Sequence, residues 1–182
     1  TQESKSSVVP GVCRVADRHT VATDLLLWPH VDGAARASRR GVLQLATLYD
    51  VRLDAEGQLW EAFFRPYAEQ HGHSVHVHRG TLDDTRPPAW SKILLLQRLI
   101  ADAKHGGAQW IAWIDADIIV NDMTASLAAF LPDDVDVHLV VQADMHMLAN
   151  TGVMLLRVCE WSLRFLSLVW ASDHMIDSPF WE

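Results

Sequence analysis

The strongest constraint on the fold is a short apolar run that ends in two carboxylates. Residues 110–114, Trp-Ile-Ala-Trp-Ile, follow the chain-breaking pair Gly106-Gly107 and lead directly into Asp115 and Asp117. An uninterrupted apolar run of this length is typical of a β-strand covered on both faces, because a half-exposed strand would alternate. The run therefore predicts an α/β domain with two acidic side chains at the carboxyl end of a central strand.

The two carboxylates indicate a metal site. Side chains of like charge repel each other unless a cation lies between them, and in open α/β sheets ligands bind outside the carboxyl ends of the strands. Mg²⁺ and Mn²⁺ take carboxylate oxygens and keep positions for phosphate oxygens. Asp115 and Asp117 are therefore predicted to bridge a divalent cation to a diphosphate. The alternative is a solvated strand end, which an isolated Asp-x-Asp favours; the buried, aromatic character of the preceding strand favours the metal.

Composition limits the other possibilities. A chain of 182 residues with 49% hydrophobic and 21% charged residues suits one globular domain. The formal charge of -8 argues against nucleic acid as the main partner, and an anionic ligand would need a local cation. Cys13 and Cys159 show no metal-ligand spacing. No apolar run reaches the roughly 18 residues of a membrane span, so none is expected within this chain.

Two segments are predicted. Residues 1–40 are rich in Ser, Gly, Pro and basic residues without a sustained period, which indicates a flexible lead-in. Residues 41–182 are predicted to form the folded domain. The expected strands are 42–49, 74–78, 110–114, 135–141 and 153–158, and the expected helices are 57–72 with a break or kink at Pro66, 89–104, 123–130 and 160–170.

Two further features are candidates for ligand contact. Lys92 lies near the start of a predicted helix, where a cation is unfavourable for the helix dipole, so a phosphate contact competes with a plain surface lysine. Asn150-Thr151-Gly152 precedes a predicted strand. A small polar residue followed by glycine lets the backbone approach a ligand, although an ordinary turn needs the same residues.

A histidine cluster, His71, His73, His76 and His78, invites a second metal interpretation. His76 and His78 would share one face of a strand. No carboxylate or cysteine accompanies them at ligand spacing, which favours solvated imidazoles at a strand edge.

Three blocks, in this order, resemble a known family: WSKILLLQRLI at 90–100, WIAWIDADIIVND at 110–122 and NTGVMLLRVCEWSLRFL at 150–166. Together with the turn YAEQHGH at 67–73, they resemble glycosyltransferase family 34, the galactosyl- and xylosyltransferases of the galactomannan galactosyltransferase and mannan-polymerase type. The resemblance implies a GT-A fold, which is a Rossmann-like, mostly parallel sheet flanked by helices. It also implies a UDP- or GDP-linked sugar donor, a glycan acceptor, Mn²⁺ (or Mg²⁺) and retention of the anomeric configuration.

The resemblance also assigns roles residue by residue. Asp115 and Asp117 would hold the metal and the donor diphosphate, with the Ala116 backbone near the ribose. No residue is assigned as a nucleophile. The remaining assignments are Lys92 near the nucleotide, Asn150, Thr151 and Gly152 lining the pocket for the transferred sugar, and Asp144 as a polar contact just before them.

The resemblance carries an expectation about the end of the chain. Family members continue past the helix that contains Trp161-Ser162 into a segment with an Asp-Gln pair near the reacting sugar and a later His that completes the metal shell. The chain is therefore expected to be truncated at its C-terminus, with part of the acceptor site and one metal ligand missing. His174 and Asp177 are the first candidates to replace them. The implied location is the Golgi lumen, if a membrane anchor lies upstream.

The expected function is a metal-dependent, retaining transfer of a hexose or pentose to a glycan. Two alternatives stay open. One is an inactive nucleotide-sugar-binding domain, which the early C-terminus favours. The other is a phosphohydrolase that uses the first Asp of Asp-x-Asp as nucleophile; against it, Ile119 stands where that chemistry commonly uses Thr.

Overall fold

A five-stranded sheet organises the domain. The computed structural model describes residues 43–105, 107–142 and 149–177. The sheet order is β2-β1-β3-β5-β4; β1 is parallel to β2 and β3, and β5 is antiparallel to β3 and β4. Four strands thus run in one direction, and their carboxyl ends meet at one edge, where β5 begins. The strands are β1 (Leu43–Tyr49), β2 (Ser74–Arg79), β3 (Trp110–Ile114), β4 (Leu139–Gln142) and β5 (Asn150–Arg157).

Within the described residues, three α-helices cover the two faces of this sheet: α1 (Asp54–His71), α2 (Ser91–Ala103) and α3 (Glu160–Trp170). The side chains of α1 pack with one face, and those of α2 and α3 pack with the other. All five residues of β3 are buried, and they alternate between the two cores. The prediction of a doubly covered central strand in a mostly parallel α/β sheet is therefore confirmed.

Most predicted elements lie close to the observed ones. β3 and α3 have the predicted bounds, and β1, β2 and α2 differ by one or two residues at their ends. The predicted lead-in, 1–40, and Asp144 lie outside the residues that the structure describes. Within the described part of the chain, no helix has both the length and the apolar character needed to cross a membrane.

The predicted break at Pro66 is wrong, because α1 continues through it. Proline lacks the N–H that would bond to the carbonyl four residues earlier, that of Ala62. Both Pro66 and Ala62 lie on the exposed side of the helix, where water can satisfy this carbonyl. Trp60 and Tyr67 are buried before and after the proline, so packing anchors α1 on both sides of it.

The predicted helix over 123–130 is reduced to a single 3₁₀ turn, Leu127–Phe130. Tertiary hydrogen bonds take the backbone groups that a helix would use. The Tyr67 hydroxyl donates to the Ala125 carbonyl (2.8 Å) and accepts from the Leu127 N–H (2.7 Å). The segment after β3 is therefore a loop tied to the end of α1.

The bounds of the last two strands also differ from the prediction. β4 starts at Leu139 rather than at 135, because the Arg157 guanidinium bonds to the carbonyls of Val137 and Asp134 and holds that stretch as a loop. β5 starts at Asn150, so residues 150–152 are the first residues of the strand and not a turn before it. This change places them directly beside the end of β3.

Candidate functional site

Several of the predicted ligand-contact residues meet at the carboxyl edge of the sheet. Asp115 directly follows β3, and its N–H donates to the Gly152 carbonyl at the start of β5 (2.8 Å). Lys92, in the first turn of α2, places its ammonium 3.5 Å from Asp115 Oδ1 and 3.2 Å from Thr151 Oγ1. The structure thus brings Lys92, Asp115, Thr151 and Gly152 together.

Asp115 is a partly buried carboxylate with unequal oxygens. Its Oδ1 accepts a 2.6 Å hydrogen bond from Trp113 Nε1 and faces the Lys92 ammonium. Its Oδ2 has no hydrogen-bond donor within the described ranges. Burial raises the pKa of Asp115, while the charge of Lys92 and the bond from Trp113 act to lower it. A carboxylate of this kind gains from additional positive charge nearby.

Asp117 differs from Asp115 in its surroundings. It is exposed, and its carboxylate makes no hydrogen bond or ion pair within residues 43–105, 107–142 and 149–177. Between the two, Ala116 is buried, with 5% of its surface exposed. The pair therefore offers one fixed oxygen, Oδ2 of Asp115, and one free carboxylate.

These donors fit a hard divalent cation, which prefers carboxylate oxygens and keeps positions for water or phosphate. No cluster of three or more His, Cys, Asp or Glu side chains suited to a metal occurs in the part of the chain that the structure describes. Among the described residues, Asp115 and Asp117 would thus form a two-residue ligand set. A cation held there would complete its shell with oxygens from other sources.

Gly152 lies close to Asp115, with little room for a side chain between them. A Cβ at this position would lie 3.1 Å from Asn150 Oδ1 and 3.4 Å from Asp115 Oδ2. The Asn150 Oδ1 accepts from the Gly152 N–H (3.0 Å), so it folds back on its own strand. The approach of this backbone to a ligand stays a prediction; in the structure Gly152 lies against Asn150 and Asp115.

Two residues of the histidine cluster, His71 and His73, contact the loop after β3. His71 Nε2 lies 2.8 Å from the Met123 carbonyl oxygen, and His73 Nε2 lies 3.4 Å from Ser126 Oγ. The two rings stack, with centroids 5.9 Å apart. The contacts of His71 and His73 are thus structural, whereas the sequence favoured solvated imidazoles.

Sequence reasoning did not single out Trp113, which it treated as core. The available signal was the spacing: residues two apart in a strand direct their side chains to the same face. The Trp113 indole N–H can therefore reach the carboxylate of Asp115. This contact is the main feature of the site that the sequence analysis missed.

Comparison with solved structures identifies the fold class. The chain resembles a glycosyltransferase involved in the glycosylation of the major capsid of PBCV-1, with a TM-score of 0.61, 15% identity and coverage of 75% of this chain and 68% of that one. At this identity the likeness concerns the fold alone. The mixed sheet and its flanking helices therefore define a GT-A-like fold, as predicted.

Comparison of sequences identifies the family. Residues 65–148 match the model of the galactosyl transferase GMA12/MNN10 family, which confirms the predicted resemblance to glycosyltransferase family 34. Probable glycosyltransferase 3 of Oryza sativa subsp. indica is 32% identical over 111 residues, covering 58% of this chain and 23% of that protein. Probable xyloglucan 6-xylosyltransferase 5 of Arabidopsis thaliana is 30% identical over 111 residues, covering 58% and 24%. The match thus spans less than a quarter of the length of these relatives.

Proposed function

We propose that this domain binds the diphosphate of a nucleotide-sugar donor through a divalent cation held by Asp115 and Asp117. We further propose that it belongs to an enzyme that transfers a hexose or pentose to a glycan acceptor with retention of configuration. One observation carries the proposal: the acidic pair lies at the carboxyl end of the buried strand β3, with the Lys92 ammonium 3.5 Å from Asp115. The match of residues 65–148 to the galactosyl transferase family model supports the reaction class.

The residues would divide the work by position. Asp115 Oδ2 and the Asp117 carboxylate would hold the cation, and Lys92 would add a positive charge toward the phosphates. The Ala116 backbone is proposed to lie near the ribose, and the start of β5, residues 150–152, near the transferred sugar. Asp144 remains a proposed contact to that sugar. A bound Mn²⁺ or Mg²⁺ would supply the charge that stabilises the departing diphosphate.

Counting charges predicts that cation and nucleotide depend on each other. Asp115 and Asp117 together with Lys92 leave the site with one net negative charge, which repels a diphosphate. A divalent cation reverses the sign of this local charge. By linkage, the cation must strengthen nucleotide binding by the same factor as the nucleotide strengthens cation binding. The cation alone should bind weakly, because few protein oxygens hold it.

Calorimetry of UDP and GDP with and without Mn²⁺ tests the proposal. The wild-type protein should bind UDP or GDP much more tightly with Mn²⁺ than without it, or should bind that nucleotide only when Mn²⁺ is present. Asp117→Ala should remove this Mn²⁺-dependent component without unfolding the domain. Asp136→Ala is the matched control, because Asp136 is also exposed but lies before β4, at the opposite edge of the sheet. Equal nucleotide affinity in wild type and Asp117→Ala would contradict the metal assignment.

The transfer step needs its own test. The name of the Arabidopsis relative refers to xylosyl transfer, which makes a UDP-linked pentose one donor to compare with hexose donors. Transfer to glycan acceptors supports the enzyme proposal, whereas Mn²⁺-dependent binding without transfer would favour the nucleotide-sugar-binding alternative. Location in the Golgi lumen is a further proposal from the family, which microscopy of the tagged full-length protein against a Golgi marker would test.

A further inference from the structure

The two carboxylate oxygens of Asp115 have different surroundings, so they would not be equally available to a cation. Oδ1 lies 2.6 Å from Trp113 Nε1 and 3.5 Å from Lys92 Nζ. Oδ2 lies on the side of Gly152, within 3.4 Å of the position that a Cβ would take. Oδ1 is therefore engaged within the protein, whereas Oδ2, which lies beside Gly152, has no hydrogen-bond donor among the described residues.

The donor to Oδ1 is held firmly. Trp113 is 2% exposed and packs in the core between the sheet and the helices α2 and α3. The Lys92 ammonium lies 5.5 Å from the centroid of its ring. If Oδ1 turned toward a cation, the indole N–H would stay buried without an acceptor, which is unfavourable. The hydrogen bond should therefore persist when a cation binds.

From this geometry we infer that Trp113 is a positioning residue that restricts Asp115 to one metal-binding oxygen, Oδ2. The inference rests on the proposed function, because it assumes a cation at the acidic pair. A site with a single-oxygen carboxylate suits Mg²⁺ and Mn²⁺, which take six ligands in a compact octahedron. Ca²⁺ takes six to eight oxygens and often binds a carboxylate through both. Trp113 thereby contributes to discrimination against Ca²⁺.

Trp113→Phe tests this role, because it removes the indole N–H and keeps a ring in the core. Trp110→Phe is the matched control: Trp110 is 3% exposed in the same strand, but its side chain packs on the other face of the sheet. Binding is measured by electron paramagnetic resonance of Mn²⁺ with UDP or GDP present, followed by competition with Ca²⁺. Circular dichroism checks that each variant is folded.

We expect Trp113→Phe to weaken Mn²⁺ binding by roughly 10- to 100-fold, the usual effect of losing a partner that orients a metal ligand. It should also narrow the ratio between Mn²⁺ and Ca²⁺ affinities, because Oδ1 becomes free to bind the larger ion. A purely structural role would not change this ratio, and Trp110→Phe should leave it as in the wild type.

The outcomes separate the inference from the proposed function. If the wild type binds Mn²⁺ with nucleotide and Trp113→Phe keeps both the affinity and the ratio, the positioning role is wrong and the proposed function stands. If the wild type binds no Mn²⁺ with either nucleotide, both are wrong. If Trp113→Phe does not fold, the inference can be tested on the wild type by hydrogen exchange. The Trp113 indole N–H should stay protected from exchange when Mg²⁺ and nucleotide bind. Loss of that protection would overturn the inference.

Discussion

Lys92→Met offers a direct test of how the site balances its charges. The change removes the ammonium and keeps an unbranched apolar side chain. The side chain of Lys92 is 12% exposed and that of Asp115 36%, and the charged atoms are 3.5 Å apart. At this distance the attraction is about 1.2 kcal/mol in bulk water and about 4.7 kcal/mol at an effective dielectric constant near 20.

The net loss should lie between these limits after the cost of desolvation is subtracted. Removing one partner of a buried pair leaves an uncompensated charge, but the partial exposure of Asp115 lets water stabilise it. We therefore expect Lys92→Met to lower the free energy of unfolding by about 1–3 kcal/mol at pH 7. Urea unfolding of the cation-free protein, followed by circular dichroism, measures this value.

Lys104→Met is the matched control. Lys104 Nζ lies only 2.8 Å from Glu160 Oε2, but the two side chains are 33% and 61% exposed. Exposed pairs contribute about 0–1 kcal/mol despite good geometry, so this variant should lose less than Lys92→Met. The Lys92–Asp115 pair is thus expected to contribute more to stability than the shorter Lys104–Glu160 pair, because the effect of burial outweighs that of distance. If Lys104→Met costs as much as Lys92→Met, this account of the Asp115 environment is refuted.

Two further predictions concern the framework. Gly57→Ala should lower the free energy of unfolding by about 2 kcal/mol, because the new Cβ would lie 2.4 Å from ring atoms of the buried Tyr49. This overpacking outweighs the roughly 1 kcal/mol gain in helix propensity. In a Tyr49→Ala background the same change should become neutral or stabilising, and a persistent loss of stability there would contradict the clash. Burial, with a smaller effect of the His71 charge, lowers the pKa of His73 from 6.5 to about 4. Because the unfolded chain binds this proton more readily, stability should be complete above pH 6.5 and fall as the pH drops through 4, by about 1–2 kcal/mol after allowance for partial exposure. Urea unfolding across this range should show a weaker pH dependence for His73→Gln, and an unchanged dependence would count against His73 as the source.

The parts of the fold that the sequence predicted well are those governed by local pattern. The apolar run of β3 and the amphipathic pattern of α3 determine their own bounds, because each buries its apolar side chains wherever it packs. The errors arose where distant groups compete for the backbone. Tyr67 takes the hydrogen-bonding groups of the loop after β3, and the guanidinium of Arg157 holds the stretch before β4. No local pattern encodes such contacts.

The sequence predicted where the candidate site lies, but not which carboxylate pairs with Lys92. A parallel sheet places the end of β3 and the start of α2 at the same edge, so Asp115 and Lys92 could be expected near each other. Whether the ammonium faces Asp115 or Asp117 depends on the rotation of α2 and on the path of the chain after β3. Only the structure shows that Asp115 receives it, together with the indole of Trp113.

This pairing gives the two carboxylates different tasks in the proposed binding of a cation. Asp117 is exposed and has no bonding partner among the described residues, so it can reorient toward an arriving ion at little cost. Asp115 is oriented in advance by Trp113 and is partly dehydrated, which strengthens its interaction with a cation once water has left. The Lys92 ammonium stabilises the partly buried Asp115 carboxylate before the cation binds. The proposed site therefore combines a mobile ligand, Asp117, with a fixed one, Asp115. The two lie on either side of the buried Ala116.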